Sequence, residues 1–332
     1  ATVAVGLLAT ALAVAAALAG AAVPTTRQTG QLAVAAVQGG GPRGVPAVFS
    51  DPAAVTARQF AATATVTGTP ALVLWPEDVV ALPGPVTEAP VGAELAALAR
   101  RLGSTLVVGV VEDEGATRFR NAAVAWGPDG TLLGRYEKVH RVPFGEYLPA
   151  RPLVSRLSGN AALVPRDAIP GRGPGLLTAP AGRLGVLISY EVFFADRARA
   201  AVQAGAQVLL VPTNASSYTT EEVPAMEVAA ARLRALETGR ALVQAAPTGY
   251  SALVDAAGRV TARSGLGSPA VLGGEVALRA GRTPYTRTGD LPVVVLSGLG
   301  WLVAGLAGGR RRRVDGVGRL GRPGPDRVAV PQ

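Results

Sequence analysis

Two stretches without a charged residue bracket this chain, positions 1–26 and 291–309. About 20 consecutive apolar residues carry a helix across a bilayer, and residues 2–23 of the first stretch meet that length. Between the stretches, charged and apolar residues alternate as in a water-exposed domain. The arrangement predicts a transmembrane helix at 1–26, the last span of a longer membrane region, then a domain at 27–290 and a second transmembrane helix at 291–309. Pro292 falls near the start of the second stretch, where a helix tolerates a missing N–H. Arg310 to Arg313 follow that stretch directly. Basic residues flanking a span stay on the cytoplasmic side, so 310–332 is expected to be a basic cytoplasmic tail. The 27–290 domain is then extracytoplasmic, on the outer face of the cell membrane. A cleaved signal peptide is the alternative for the first stretch, because Ala19-Gly20-Ala21-Ala22 resembles a processing site, but no basic residue precedes the apolar run.

Charge and composition narrow the function classes. The formal net charge is +9, which by itself would suit a nucleic-acid binder. Seven arginines and two aspartates within 310–332 account for +5 of it, leaving +4 for all the preceding residues. No basic excess in the body matches a phosphate backbone, so no nucleic-acid partner is expected. The chain has no cysteine, which excludes disulfides, thiolate metal sites and a cysteine nucleophile. Its one histidine, His140, makes a histidine zinc site improbable. No metal or organic cofactor is expected.

Short apolar runs bounded by breakers alternate with helical stretches through the body. Residues 31–37, 71–75, 105–111, 184–189 and 206–211 read as buried strands, and 88–102 and 224–240 as amphipathic helices. Two hairpins are visible. Residues 121–126 and 131–137 flank Gly127-Pro128-Asp129-Gly130, and 250–254 and 259–263 flank Asp255-Ala256-Ala257-Gly258. Strands alternating with helices, together with antiparallel hairpins, predict an α/β layered sandwich with a mixed sheet. Gly39-Gly40-Gly41 follows the first strand, but the lysine of a phosphate loop is missing.

Polar groups appear abruptly at three strand ends. Pro76 stops the run Leu72-Val73-Leu74-Trp75 and leaves Glu77 at its mouth. Lys138 ends the first hairpin and is the lone lysine among 32 basic residues. A sequence that uses arginine everywhere else keeps lysine where a compact ammonium is needed and a planar guanidinium does not serve. The third end is Leu187-Ile188-Ser189-Tyr190-Glu191, where a strand runs into a tight turn before a helix. A carboxylate base, an ammonium and a nucleophile in this order resemble the Glu–Lys–nucleophile constellation of the nitrilase superfamily.

The run Glu137-Lys138-Val139-His140-Arg141-Val142-Pro143-Phe144-Gly145-Glu146-Tyr147-Leu148-Pro149 resembles the signature of bacterial apolipoprotein N-acyltransferases. So do residues 231–240 and 283–290, and the similarity extends from about Gln31 to about Gly309. Members of that family are longer at the N-terminus, so this chain resembles their C-terminal part. The resemblance implies a nitrilase-like α-β-β-α sandwich flanked by transmembrane helices. It puts the general base at Glu77, the catalytic lysine at Lys138, a supporting acid at Glu146, a further acid at Glu191 and the nucleophile at Ser189. Two positions depart from the family pattern. Ser189 stands where the family has cysteine, and Thr213-Asn214-Ala215-Ser216-Ser217-Tyr218 lacks the Asp and aromatic residues common after the asparagine.

The implied reaction is acyl transfer from a membrane phospholipid, through an acyl-enzyme, to the N-terminal diacylglyceryl-cysteine of an apolipoprotein. Serine in the nucleophile position is expected to impair it, since a thiolate forms readily beside a cation and its thioester is easily aminolysed. The alternatives are a catalytically inactive membrane scaffold, for example for a polyprenol-phosphate mannose synthase, and a carbon–nitrogen hydrolase of the wider superfamily.

Overall fold

The central strands of this protein, such as Leu72–Leu74, Thr105–Glu114 and Val208–Pro212, are buried on both faces, which is why they read as continuous apolar runs rather than alternating ones. A computed structural model gives the fold and describes residues 26–157 and 164–302. Thr25–Arg287 forms one unit. Its first sheet takes β1 (Thr26–Gln38), β2 (Leu72–Leu74), β3 (Val80–Leu82), β4 (Thr105–Glu114), β5 (Arg118–Trp126), β6 (Leu132–Glu137) and β7 (Asp167–Ala168). The second takes β8 (Leu176–Ala179), β9 (Gly182–Val186), β10 (Val208–Pro212), β11 (Leu242–Ala245), β12 (Ala252–Val254) and β13 (Val260–Arg263). The chain then returns through β14 (Ala270–Gly281) to pair antiparallel with β1 at the edge of the first sheet. The sheet orders are β14-β1-β2-β4-β5-β6 and β13-β12-β11-β10-β9-β8, each mixing parallel and antiparallel pairs.

Period-two alternation sorts side chains into three cores and so stacks the layers. Val34, Ala36, Leu72 and Leu74 point into a core shared with Leu184, Val186, Ile188, Val208 and Leu210, between the two sheets. Their neighbours Ala35, Val37, Val73 and Trp75 point the other way, against Leu95 and Leu98 of the helix α2 (Pro90–Leu102) and Ala62 of α1 (Pro52–Thr63). On the second sheet, Leu209 and Val211 pack against α3 (Ala195–Gln203) and α4 (Glu222–Thr238) through Ala198, Ala201, Ala231 and Ala235. The result is the expected α-β-β-α sandwich.

The predicted elements fall in place, with ends that shift. The strand expected over 184–189 stops at Val186, and Ser189 opens a 3-10 turn, Ser189–Phe193, because the backbone N–H of Ile188 is taken by the Glu191 carboxylate instead of a neighbouring strand. Among the described residues no helix is long and apolar enough to cross a membrane. Residues 291–302 are helical, with Val293, Leu296 and Trp301 exposed. The expected span at 1–26, apart from Thr26, the rest of the 291–309 stretch and the basic tail lie outside the described residues.

Gln38, fully buried at the end of β1, ties together the segments that flank both sheets. Its amide Nε2 donates to Gly265 O and Ser268 O, both at 2.8 Å, and its Oε1 accepts from Ser251 Oγ (2.9 Å) and Ser264 Oγ (2.8 Å). Each buried group left without its partner costs about 1–3 kcal/mol. Gln38→Ala is therefore expected to destabilise the fold by roughly 3 kcal/mol, read as a lowered thermal midpoint of the whole chain. An unchanged midpoint would show that the serines and carbonyls find other partners.

Candidate active site

Proline ends β2 for a simple reason: it has no N–H to give the ladder. The chain leaves the sheet there and Glu77 follows at the mouth, 5% exposed. β4 passes close beneath, its Gly109 N–H donating to Pro76 O at 3.1 Å. A Cβ on Gly109 would fall 2.2 Å from Pro76 O and 2.5 Å from Glu77 Cα, so only glycine lets the strand run this close to the glutamate.

Lys138 follows β6 directly, its backbone N–H donating to Asn121 O of β5 at 2.9 Å. Its side chain is 2% exposed. Nζ donates to Glu77 Oε1 at 2.8 Å and to Glu146 Oε1 at 3.0 Å. Asn121 Nδ2 donates to the same two oxygens at 2.8 and 2.9 Å. An ammonium and an amide thus bridge two carboxylates that would otherwise repel. Glu146 is aimed by its own turn, since Val142 N–H donates to its Oε2 at 2.7 Å and its backbone N–H donates to Val142 O at 2.8 Å.

Electrostatics keep the ammonium charged and the base strong. Burial works against the Lys138 charge, but Glu77 and Glu146 outweigh it, so its pKa stands above that of ordinary lysine. Burial raises Glu77 above the usual carboxylate value, Lys138 opposes the rise and Glu146 adds to it. Glu77 therefore holds a proton more tightly than a solvated carboxylate would.

Ser189 sits on the second sheet's side, where the chain leaves β9. Its φ of +48° is in the left-handed region that favours glycine. Asp78 and Phe144, beside Glu77 and Glu146 in sequence, also have positive φ (54° and 61°). Backbone strain gathers where side chains must be aimed. The Ser189 turn is fastened by Glu191, which is fully buried. Its Oε1 accepts from Val139 N–H (2.8 Å), His140 N–H (3.1 Å) and Tyr136 Oη (2.8 Å), and its Oε2 from Ile188 N–H (2.9 Å). This carboxylate joins the residues just past Lys138 to the residue before Ser189. Both oxygens of Glu191 are thus occupied, by backbone N–H groups and Tyr136. His140 lies toward Asp196, Nε2 to Oδ2 3.6 Å, with its ring edge-on to Phe194.

The structure thus brings Glu77, Lys138 and Glu146 into direct contact and ties Glu191 to the turn that bears Ser189. Sequence reasoning missed Asn121, Tyr136 and Glu227. Glu227 lies on α4, 3% exposed, with Oε1 accepting from Thr213 Oγ1 at 2.5 Å. Burial pushes its pKa up to about 7, Thr213 lowers it, Glu77 raises it, and Lys138 and the nearby Ser189 hydroxyl lower it. The signals were present: Asn121 opens the apolar stretch of β5, and Glu227 interrupts the buried stripe Pro224, Val228, Ala231, Ala235.

The fold agrees with what the comparisons find. Residues 15–283 match the model of the carbon–nitrogen hydrolase family, and the chain belongs to that family. It is similar to proteins named apolipoprotein N-acyltransferase. That of Geobacter metallireducens is 34% identical over 227 residues, covering 66% of this chain and 42% of the relative. That of Methylococcus capsulatus is 35% identical over 258 residues, covering 76% and 50%. That of Mycolicibacterium smegmatis is 33% identical over 243 residues, covering 72% and 40%. The chain thus spans half or less of the length of these relatives. Nit3 of Saccharomyces cerevisiae, a nitrilase-superfamily member, shares the fold with a TM-score of 0.56 at 20% identity, over 75% of this chain and 91% of that one. An amidase from Nesterenkonia sp. AN1 does so with a TM-score of 0.54 at 24% identity, over 73% and 92%, and acrylamide adds to its active-site cysteine.

Gly109→Ala is expected to push the Pro76–Glu77 backbone away from Lys138 while leaving the sheet paired. Activity of any kind that needs the Glu77–Lys138 contact should fall by about 100-fold, the scale of losing one well-placed group. Full activity in a folded Gly109→Ala variant would mean that the Glu77 position tolerates the shift.

Proposed function

We propose that this protein carries an acyl group on Ser189 and passes it to an amine, as an apolipoprotein N-acyltransferase does. The observation that carries the reading is the buried Glu77–Lys138–Glu146 cluster in a chain similar to those enzymes over 66% of its length. In the proposed cycle a membrane phospholipid presents an ester carbonyl to Ser189 Oγ. The oxyanion that forms meets the Lys138 ammonium, which needs no reorganisation to receive it. Collapse breaks the ester C–O bond, the hydroxyl proton of Ser189 passes to the leaving oxygen, and the lysophospholipid alcohol departs from an acyl ester on Ser189. The α-amino group of a diacylglyceryl-cysteine at the N-terminus of an apolipoprotein then attacks the same carbonyl. Glu77 takes the proton of that amine and returns it to the departing Ser189 oxygen, so the site ends as it began. Glu146 holds Lys138 from the other side and Glu191 holds the Ser189 turn.

Serine slows this cycle. A hydroxyl is a weaker nucleophile than a thiolate at neutral pH, and an oxoester gives up its acyl group to an amine less readily than a thioester. Both substrates are lipids that stay in the bilayer, and the uncharged stretches 1–26 and 291–309 would hold the domain at the outer face of the cell membrane, with Arg310 to Arg313 inside.

The test follows intact mass after the whole chain meets phospholipid in mixed micelles. The unmodified chain should gain one acyl chain slowly, Ser189→Cys faster, and Ser189→Ala not at all. A diacylglyceryl-cysteine peptide should then remove the acyl group as an amide. Failure of both the unmodified chain and Ser189→Cys to acquire an acyl group would favour a non-catalytic scaffold. Release as free fatty acid without amide would favour a hydrolase.

A further inference from the structure

Glu227 has no part in the cycle above, yet its helix packs on the turn that bears Ser189, Arg234 Nη1 of α4 donating to Phe193 O at 3.4 Å. α4 carries it on the face that buries Pro224, Val228, Ala231 and Ala235, where an apolar side chain would ordinarily fill the layer. Thr213 Oγ1 donates to its Oε1 at 2.5 Å. Its Oε2 is buried and makes no hydrogen bond of normal geometry among the described residues. Ser189 is among the groups that act on this carboxyl. A carboxyl with one free oxygen, shut away from water, is costly to keep for packing alone. A glutamine or a leucine would fill the volume at lower cost.

Glu77 is placed differently. Its Oε1 already accepts from both Lys138 and Asn121, two donors that hold it toward the ammonium. The charged groups acting on Glu227 are Glu77, which raises its pKa, and Lys138, which lowers it. On the elements packed against α4 the remaining charges are engaged elsewhere. Glu191 of the turn binds backbone N–H groups and Tyr136, Arg197 of α3 donates to Tyr136 Oη and Gly173 O, Asp196 faces His140, and Arg199 lies over Tyr285. On α4 itself, Arg234 pairs with Glu237, and Glu221 at its start accepts from Tyr250.

We propose that Glu227 is the base that takes the Ser189 proton when the nucleophile attacks, a device that makes serine usable where this site would otherwise want a thiolate. The proposal rests on Ser189 being the nucleophile of the acyl transfer described above. As the Ser189 Oγ–C bond forms, the hydroxyl proton passes to the Glu227 carboxylate. As the ester C–O bond breaks, the same proton passes to the leaving alkoxide, which departs as the alcohol, and Glu227 is a carboxylate again. A thiol does not need this help, because a thiolate forms beside Lys138 without a dedicated base.

A fluorophosphonate probe reads the step without lipid chemistry: the Ser189 Oγ–P bond forms, fluoride leaves and the proton must be taken up. With the whole chain, labelling of Ser189 followed by mass should rise with pH through about 7, where Glu227 ionises. Glu227→Gln should slow labelling by about 100-fold or more, the scale of losing a general base, and erase that rise. Its thermal midpoint should not fall, since the shape is kept. In a Ser189→Cys background, acylation by phospholipid should lose far less from Glu227→Gln than labelling does with serine. Three results would overturn the proposal: labelling in Glu227→Gln with the same rate and pH rise, no labelling of the unmodified chain at any pH, or equal losses in the serine and cysteine backgrounds. Labelling as expected but no acyl group gained from phospholipid would overturn only the acyl-transfer reading.

Discussion

A single buried ammonium between two carboxylates is the contact on which this site depends. Taking an ion out of water costs several kcal/mol, and the cost is offset only when partners and hydrogen bonds surround it. Lys138 has Glu77 and Glu146 at 2.8 and 3.0 Å, and Asn121 ties the same two oxygens together. Each partner comes from a different piece of chain: the loop after β2, the turn at 142–147, and β5. Removing Lys138 leaves two buried carboxylates without their cation, and breaking a buried ion pair in this way costs about 3–5 kcal/mol. The cluster therefore fixes the mouth of the first sheet as firmly as the apolar core fixes its middle.

The two sheets contribute unlike halves. The first supplies the ammonium and its carboxylates; the second supplies Ser189, on its strained turn, and Glu227, from the helix that covers it. Between the sheets lies a core of aliphatic side chains that holds them in register. Glu191 is the polar stitch across that join, accepting from Val139 and His140 on one side and Ile188 on the other. The proposed cycle needs Ser189 on one layer and Lys138 on the other to stay aligned, which requires such a stitch to be rigid.

Much of this was legible in the sequence, and the rest was hidden for identifiable reasons. Strands buried on both faces announce themselves as apolar runs ended by breakers, and Pro76 and Lys138 mark where chemistry begins. β14 carried no such signal: Gly273, Gly274 and Glu275 interrupt it, much of it is exposed, and its partner β1 lies at the other end of the domain. α1 was missed although Asp51 caps it by accepting from Ala53 N–H and Pro52 starts it, because its alanines give no strong apolar stripe. Glu191 was in view as a further acid of the site, but its bonds to the Val139 and His140 N–H groups and to Tyr136 lie far off in sequence, where no local pattern reveals them. Glu227 was in view as a charge on the buried face of a correctly read helix; its meaning needed Ser189 beside it.

The central claim is that the site requires a compact ammonium, which is why one lysine stands among so many arginines. A guanidinium is longer and planar, and would have to part Glu77 from Glu146 to fit between them. The direct measurement is the single-turnover rate of acyl-enzyme formation in Lys138→Arg, made in a Ser189→Cys background so that the rate is high enough to read. The account predicts a fall of about 100-fold or more, as for loss of an oxyanion donor, in a protein that still folds. A rate close to that of the Lys138 protein would contradict it.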